Sequence, residues 1–553
     1  MKKKIRIVIF LLIIVYIITA GNAIFLHNSK HIAKNDSIAG NYLAGYFATN
    51  NMMYSDAINY LQKIEYAVDG NIEVLKKIFY SAIIEGNMQL AKEYAVKITK
   101  IGLVDGIDKV KIFLAFDYLK NKFFREANKL FQDIDTNSNS IISCFIANMG
   151  LAWGEVVFNN NYKRGIEIIE NKIGSISNDA DLSFMIYNKA MIYDYSGQND
   201  IANELYTNLI ERPLPERVLE VALSFFMRND NKVMADVVID KMFAKGIKYN
   251  KKQSFTNIDL ALAVHEILLD FGTILQMHNM SFDAIILLAT AQNIYEDDRI
   301  LFTLANIMHI NGMHSYSNKL YAKITSNSQY YINALINTAY NNYSSGDKLH
   351  GFSLLKDALN KDGLNFDLHV AIGDMYNSDQ DYDQAIKHYT IAIDNHSIEK
   401  DLWSVFFARA LCFDLINQWE MAKLDLLQSV NLSNSNPIVL NYLAYSMIKR
   451  DEDVNDAVIM LEKALVESNS NPHIMDSLGW AYYKNGNCNK ALILLEVSAA
   501  LLPYDPIVND HLGDVYWYSD RKREAMFQWN KVLALDPEQK IIDIITNKIK
   551  NGM

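Results

Sequence analysis

His265-Glu266 is the part of this sequence that comes closest to a catalytic motif. It begins like the zinc-protease pattern HExxH, in which two histidines one helical turn apart bind the metal. The position of the second histidine holds Leu269, so the motif is incomplete. The sequence also lacks the phosphate-binding patterns GxxxxGK(S/T) and GxGxxG and the nucleophile pattern GxSxG. These motifs therefore predict no catalytic residue.

Other histidines are also poorly placed for a metal site. His309 and His314 are five residues apart, so they lie on different faces of a helix, or one of them sits in a turn at Asn311-Gly312. His388 follows Lys387 on a predicted helix and is expected to face solvent. We predict no metal and no cofactor.

The three cysteines, Cys144, Cys412 and Cys488, are far apart, odd in number and outside any CxxC pattern. Such spacing excludes a disulfide framework and a structural zinc site. Acidic pairs such as Asp297-Asp298 fall at predicted helix starts, where carboxylates favour the helix dipole. We expect both groups of residues to be structural.

Composition favours long helices joined by short connections. The chain has 553 residues, of which 50% are hydrophobic and 21% charged, and only 23 Gly and 7 Pro. So few turn residues argue against collagen-like, low-complexity and turn-rich β classes. The formal net charge of -11 repels phosphate, so nucleic acid is not an expected partner.

The N-terminal residues 1–26 resemble an export segment. Lys2–Arg6 is positively charged, Ile7–Ala20 is apolar, and Gly21 and Ala23 are suitable for signal-peptidase cleavage. The apolar run up to Leu26 is also long enough for an uncleaved membrane anchor. Both alternatives place the remaining chain across the membrane, in the periplasm. No second stretch of comparable length and apolarity is recognised, because Leu260–Phe271 is short and contains Glu266 and Asp270, so we expect the body to be soluble.

A 34-residue period near the C-terminus is the strongest internal pattern. Leu478-Gly479, Tyr482, Ala491, Leu495 and Pro503 recur as Leu512-Gly513, Tyr516, Ala525, Trp529 and Pro537. The period and the residue types resemble the tetratricopeptide repeat (TPR). The resemblance implies an all-α, right-handed superhelix of helix-turn-helix repeats, with a small residue where two helices cross. The closing stretch resembles the ends of exported proteobacterial TPR proteins.

The repeat weakens towards the N-terminus. Residues 367–400 and 438–472 fit it well, whereas 403–437 keep fewer of its positions. Upstream, Ala190, Tyr193, Ala202 and Tyr206 mark another candidate repeat, and Arg228–Thr256 is the least periodic region. We predict a signal peptide or anchor at residues 1–26, a divergent helical repeat region at 27–299 and a TPR superhelix at 300–548.

The resemblance implies a partner-binding groove, since positions 2, 5, 9 and 12 of each first helix face the concave side of TPR superhelices. On this chain those positions give Asp367, Asp374, Asn377, Asn441, Tyr445, His473, Asp476, Trp480, Tyr483, Asp510, Asp514 and Trp517. Grooves that hold a terminal carboxylate need Lys, Arg and Asn, whereas this set is acidic and aromatic. A partner segment with basic and apolar residues fits it better. Alternatively, Trp480 and Trp517 pack between repeats and the aspartates are merely solvated.

These features predict a non-enzymatic protein-protein interaction module in the cell envelope that binds a partner segment in the groove. The alternative is a structural scaffold subunit of an envelope assembly that uses its convex face or edges. A third class is an enzyme within residues 40–300. An inward cluster of titratable residues there would favour an enzyme, and a plain helix stack would argue against one.

Overall fold

The computed structural model describes residues 37–67, 71–101, 106–138, 140–173, 179–212, 215–245, 257–396 and 402–553. These residues form 29 α-helices and a single 3-10 turn, and they contain no strand. The predicted all-α class is therefore confirmed. The proposed signal or anchor at residues 1–26 lies outside the described residues.

Two compact units divide the chain, the first ending at Asn341 and the second beginning at Asn342. The helices of the first unit are α1 (Ile38–Asn50), α2 (Tyr54–Ile64), α3 (Ile72–Ile84), α4 (Met88–Lys100), α5 (Asp108–Lys120), α6 (Phe124–Asn137), α7 (Ile141–Phe158), α8 (Tyr162–Ile173), α9 (Asp179–Tyr195), α10 (Asn199–Ile210), α11 (Glu216–Arg228), α12 (Lys232–Ala244), α13 (Leu260–Met277), α14 (Ser281–Ile294), α15 (Asp298–Ile310) and α16 (His314–Tyr321). Helix α17 (Tyr331–Ser344) contains the division. The boundary between the two units is at 341/342. The boundary predicted from the sequence, between divergent and regular repeats, is at 299/300.

The second unit continues as helix pairs and ends in a single helix. Its helices are α18 (Lys348–Leu359), α19 (Phe366–Ser378), α20 (Tyr382–Asp394), α21 (Trp403–Leu415), α22 (Trp419–Leu432), α23 (Pro437–Lys449), α24 (Val454–Glu467), α25 (Pro472–Lys484), α26 (Cys488–Leu501), α27 (Pro506–Tyr518), α28 (Lys522–Ala534) and α29 (Gln539–Asn551). From α19 onwards each first helix packs against its own second helix, which packs against the next first helix. This is the predicted helix-turn-helix repeat of the TPR type.

The starts of three first helices follow from the same two-residue signal. Asn436, Asn471 and Asp505 each accept a hydrogen bond from a backbone N–H of the first turn, and a proline follows at the first helical position. The side-chain oxygen satisfies an N–H that has no partner within the helix, and proline has no N–H to lose there. Each new repeat therefore begins at a fixed residue.

One spacing recurs in twelve of the fourteen helix pairs: a buried Gly or Ala of the first helix precedes a buried large residue of the second helix by sixteen positions. These pairs are Gly45 and Leu61, Ala82 and Ile98, Ala115 and Phe131, Ala190 and Tyr206, Ala222 and Val238, Gly272 and Leu288, Ala305 and Tyr321, Ala339 and Leu355, Gly373 and Tyr389, Ala410 and Leu426, Gly479 and Leu495, and Gly513 and Trp529. In α7 and α8 a buried Trp153 stands at the small position before Ile169, and in α23 and α24 the spacing between Ala444 and Leu461 is seventeen. Twelve of the fourteen helix pairs between residues 38 and 534 thus follow one repeat rule.

The glycines of this rule make room for a side chain of the second helix. A Cβ on Gly373 would lie 2.6 Å from the Tyr389 ring, and one on Gly513 would lie 2.5 Å from the Trp529 indole. Contacts this short require a neighbouring atom to move. The small residue therefore accommodates the large residue of the second helix.

Later helices of the first unit pack onto earlier ones. Helix α14 contacts α3 and α5, and α13 contacts α7. The Tyr316 hydroxyl accepts a hydrogen bond from the Tyr54 backbone N–H at 3.2 Å and donates one to Glu85 at 3.0 Å. These contacts join residues more than 200 positions apart, and one core cluster extends from Tyr54 to Met313.

Two sequence expectations concern the helices of this unit. Arg228–Thr256, the least periodic region of the sequence, contains the regular helix α12 (Lys232–Ala244) in its described part; residues 246–256 lie outside that part. The length and apolarity of helices α7 and α13 also differ from the expectation that no second stretch is comparable to the N-terminal apolar run. Both are 18 residues long and apolar enough to cross a membrane by length and composition, and 56% and 61% of their residues are buried inside the fold. Burial accounts for their composition, since a helix that is hydrophobic all round belongs in a core or in a membrane.

Candidate partner-binding surface

The aromatic residues of the predicted groove meet on three successive first helices. The Trp480 ring lies 5.0 Å from that of Tyr483, and Tyr483 lies 5.6 Å from Tyr518 of the next repeat. His511 stacks on Trp480 with ring centroids 4.2 Å apart, and Tyr445 lies 6.2 Å from His511. These five residues, Tyr445, Trp480, Tyr483, His511 and Tyr518, form what we term the aromatic strip.

Asp476 lies beneath the aromatic strip and pairs with His511. Both side chains are buried, and the His511 Nδ1 is 3.0 Å from an Asp476 carboxylate oxygen. Burial alone would lower the pKa of His511, but Asp476, with smaller contributions from Asp510 and Asp514, outweighs it, and the pKa of His511 is raised. Burial, followed by nearby aspartates, raises the pKa of Tyr445 to about 12. The fold therefore favours the protonated form of the imidazole and the neutral form of the phenol.

Asp510 and Asp514 bind a lysine from the end of the chain. The Lys548 Nζ on α29 is 2.7 Å from carboxylate oxygens of both residues. Helix α29 is held there by Ile545, which is buried in the core of the last repeat. Burial and the neighbouring Asp510 raise the pKa of Asp514 to about 6, against the opposing effect of Lys548. The most acidic part of the predicted groove is thus already paired with a cation.

Trp517 lies apart from the aromatic strip and packs within the last repeat. Its ring is 5.3 Å from that of Trp529, and the Lys522 ammonium lies 4.0 Å above it. A Cβ on Gly552 would lie 2.5 Å from Trp517, so the end of α29 also covers the ring. This placement matches the alternative in which Trp517 packs within the stack.

The remaining predicted residues are scattered. His473 is exposed at the start of α25, and Asp367 is partly buried in the first turn of α19. Asp374 accepts a hydrogen bond from the Tyr389 hydroxyl at 2.7 Å, and Asn377 accepts one from the Cys412 thiol at 3.5 Å. The Asn441 side-chain oxygen is buried and accepts no hydrogen bond. The structure thus brings together only the predicted residues of the last three repeats.

His511, Tyr518 and Lys548 belong to this surface and were missed from the sequence. His511 and Tyr518 are each one residue away from a predicted groove position, and Lys548 follows the last predicted repeat. The signal for α29 was present, since Ile541, Ile545 and Ile549 repeat at the spacing of one helical face.

The first unit contains an inward cluster of titratable residues, a feature that would favour an enzyme. Arg217 donates a hydrogen bond to Glu266 at 2.7 Å and pairs with Asp270. The His265 Nε2 is 3.3 Å from Asp297 and 3.7 Å from Glu266. Burial alone would raise the pKa of Asp297, but the hydrogen bond with His265 and the Arg299 charge lower it. The cluster connects α11, α13 and the loop before α15.

A cavity of about 1250 Å³ lies beside this cluster. The α3–α4 turn, the loop after α14, and helices α15 and α16 line it, and Asp297 is the cluster residue that reaches it. Glu85 in the lining accepts hydrogen bonds from Tyr316 at 3.0 Å and Lys319 at 3.4 Å. Among the lining residues there is no cysteine, serine or histidine. His265 is buried behind Asp297 and has an Nδ1 that makes no hydrogen bond.

The structure corrects two expectations about histidines. His309 and His314 lie on either side of the Asn311-Gly312 turn, and the Nδ1 atoms of both lie 2.5 and 2.6 Å from the same Asn341 side-chain oxygen. His388 is partly buried rather than solvated, with its Nδ1 3.0 Å from that of His369. Burial and then the His369 charge lower the pKa of His388 to about 4.

The described part of the chain has neither a metal-ligand cluster nor a disulfide. No group of three or more His, Cys, Asp or Glu side chains is arranged there to hold a metal ion. Cys412 is buried, as expected for a small hydrophobic residue, while Cys144 and Cys488 are partly buried, and none of the three forms a disulfide in the described part of the chain.

Comparisons with solved structures return helical repeat proteins. A chain of the APC/C hetero-tetramer Cut9–Hcn1 is similar over 95% of this chain and 98% of its own, with 13% identity and a TM-score of 0.39. YrrB, a TPR protein with an unusual peptide-binding site, covers 35% of this chain and 97% of its own, with 12% identity and a TM-score of 0.29. PilW, a type IV pilus biogenesis factor, covers 34% and 85%, with 16% identity and a TM-score of 0.31. No family model and no curated protein matches the chain.

Proposed function

We propose that this chain is a non-enzymatic protein-protein interaction module of the cell envelope and that the aromatic strip binds a segment of its partner. The carrying observation is that rings from three successive repeats adjoin, with Tyr518 68% exposed at the end of the strip. Tyrosine and tryptophan are enriched among the residues that dominate binding energy at protein interfaces. A partner segment lying along the repeats would contact these rings in sequence.

The charges beneath the strip restrict what the partner offers. Asp476 is paired with His511, so apolar or aromatic side chains fit over Trp480 and Tyr483. A basic side chain of the partner binds Asp510 and Asp514 only by displacing Lys548, which is 2.7 Å from both. The partner is therefore a segment with apolar anchors. A basic residue of the partner contributes to binding only beside Asp510 and Asp514.

Two features support the absence of catalysis. The charged residues of the first unit pair with one another, as Arg299 does with Glu220 at 2.7 Å and Arg217 with Glu266. Such pairs fix helices to each other, although perturbed pKa values can also mark an active site. The lining of the adjacent cavity contains no cysteine, serine or histidine, the side chains that most often act as nucleophile and base in acyl transfer.

The envelope location rests on the sequence of residues 1–26. The positively charged start and the apolar run up to Leu26 favour export with the repeats in the periplasm, either released or anchored to the inner membrane. The scaffold alternative is favoured by a separate observation, the exposed apolar side chains of the last second helices, which are considered below.

The test is quantitative capture of partners from envelope extracts with the intact chain as bait. The variant Tyr518→Ala, combined with Tyr483→Ala, should reduce the amount captured at least tenfold, as expected when hot-spot rings are lost. Tyr504→Ala is the matched control, because Tyr504 is 81% exposed in the connection between α26 and α27, away from the strip. Equal capture by the strip variant and the control would contradict the proposal.

A further inference from the structure

The second helices of the last four pairs each expose an apolar side chain at the same position of the repeat. Leu424, Ile459, Ile493 and Phe527 follow one another at intervals of 35, 34 and 34 residues. Their exposed fractions are 63%, 64%, 66% and 67%. Each lies two residues after the buried alanine in the first turn of its helix. We term these four side chains the apolar ridge.

The fold itself does not demand an apolar residue at this position. In the two preceding pairs the same position holds Ser353 and Lys387, and both are exposed. Single exposed apolar residues are common on protein surfaces, whereas contiguous apolar patches mark interaction sites. Four consecutive repeats with the same exposed chemistry therefore indicate a surface that is covered by another molecule.

The ridge is wide enough for a stable interface. Leu432, Val466 and Leu501 lie seven or eight residues after ridge positions, on the same side of their helices, and are 44%, 83% and 57% exposed. Together with the ridge they offer on the order of 800 Å² of surface, which is about what each partner buries in a standard interface.

The charges of the same helices indicate the partner. Apart from Asp425, which is buried in an ion pair with Arg409, helices α22 and α24 carry four acidic and two basic residues, whereas α26 and α28 carry four basic and two acidic ones. A second copy placed antiparallel would bring the acidic half of one ridge against the basic half of the other. In the parallel arrangement like charges would face each other, which is unfavourable.

We propose that the apolar ridge is a contact between two copies of this chain, related by a two-fold axis and packed antiparallel. Leu424 of one copy then faces Phe527 of the other, and Ile459 faces Ile493, as the self-complementarity of a two-fold interface requires. This contact uses the second helices and is independent of the aromatic strip on the first helices.

The first test is the oligomeric state of the full chain by sedimentation velocity over a concentration series. The wild-type chain should dimerise, and the double variant Ile459→Lys/Ile493→Lys should raise the dimer dissociation constant at least 100-fold. Ile438→Lys is the matched control, since Ile438 is 64% exposed on the first helix α23 and should not change dimerisation. Circular dichroism should report unchanged helix content for both variants, because the replaced side chains are exposed. Should the double variant fail to fold, Phe527→Ser replaces it in the same assay.

A wild-type chain that stays monomeric at every concentration would overturn the proposal, as would a dimer that withstands the ridge substitutions. A monomer that floats with phospholipid vesicles through the ridge would assign this surface to lipid instead. The antiparallel order is tested by oxidative cross-linking after replacing Cys144, Cys412 and Cys488 with alanine. Chains carrying Ile459→Cys should cross-link to chains carrying Ile493→Cys, and cross-linking of Ile459→Cys chains only to each other would refute that order.

Discussion

The His511 imidazole lies flat on the Trp480 indole, with the two ring planes 14° from parallel. Its Nδ1 is also 3.0 Å from Asp476. A carboxylate and the face of an indole both stabilise a protonated imidazole. One pair of residues from successive repeats therefore joins a buried ion pair to the exposed aromatic strip.

Stability should depend on the charge of His511. Its pKa is raised in the fold above the unfolded value, so its contribution is complete below the unfolded pKa of about 6.5 and is lost as the pH rises through the folded pKa. We predict that the melting temperature falls as the pH rises above about 6.5 and through the raised pKa of His511, and that His511→Phe makes this fall smaller. Calorimetry across this range measures it, with His473→Phe as the exposed control. An unchanged slope in His511→Phe would refute the assignment.

The two tryptophans of the predicted groove should respond differently to truncation. Trp517→Ala removes a ring that packs on Trp529 and under Gly552, so unfolding should become easier by about 3 kcal/mol. Trp480→Ala should cost less stability and should weaken partner capture, because its partly exposed ring belongs to the strip. Melting curves and capture on the same proteins separate the two effects. Reduced capture by Trp517→Ala at unchanged stability would contradict this division.

Export predicts the location of the C-terminus. We propose that the basic residues Lys2–Arg6 stay in the cytoplasm while the following apolar run enters the membrane, which would place the repeats outside. A periplasm-dependent reporter fused after Met553 should be active, and deletion of residues 2–26 should abolish its activity. Activity of a cytoplasm-dependent reporter at the same site would contradict export.

Sequence patterns identified the repeats where several signature positions survive together. Residues 472–537 keep the glycine, the aromatic, the second-helix alanine and the closing proline, and the period is evident. Pairs such as Ala82 with Ile98 and Ala115 with Phe131 keep only the residues whose volumes must match at the crossing. The sixteen-residue spacing between a small and a large residue would have identified these repeats. Packing constrains this spacing even where capping and turn residues vary.

The groove was harder to predict than the fold. Its positions follow from repeat register, which placed Tyr445, Trp480 and Tyr483 on one surface. Whether an aspartate can bind a basic side chain of a partner depends on its pairing with a later side chain of the same protein. Asp476 is paired with His511, and Asp514 is paired with Lys548. Lys548 lies in a helix beyond the repeat signature, so the pairing of the acidic end could not be deduced from register alone.

The crossing rule can be tested by adding a methyl group. In the wild-type chain Gly513→Ala should destabilise by up to about 2 kcal/mol, because the new Cβ would lie 2.5 Å from the Trp529 indole. Combined with Trp529→Leu, which vacates this space, the same change should stabilise by up to about 1 kcal/mol through helix propensity. Chemical denaturation of the four proteins gives both values. The same sign in both backgrounds would refute steric fit as the role of Gly513.

Lys548 should act both as a stabilising cation and as a competitor for basic ligands. The variant Lys548→Gln leaves Asp510 and the buried Asp514 without their cation. The pKa of Asp514 is already raised to about 6, so at pH 5 the carboxyl accepts a proton, whereas at pH 8 it stays charged and repels Asp510. The loss of stability should therefore be larger at pH 8 than at pH 5, and Asp514→Asn in the same chain should restore most of it. Equal losses at both pH values would exclude this explanation.

The same variant decides whether the acidic end of the groove accepts a basic residue. If Lys548 occupies the place of a partner's lysine or arginine, Lys548→Gln should increase capture of a basic partner at low salt, where the two aspartates are unscreened. Asp510→Asn with Asp514→Asn should reverse the increase, since the new amides change the volume little and remove the charge. Asp476→Asn should have a smaller effect, because in the wild-type chain Asp476 pairs with His511 and not with Lys548. Capture that is the same in all these variants, with helix content intact, would leave Asp510 and Asp514 as structural partners of Lys548 and would restrict binding to the aromatic strip.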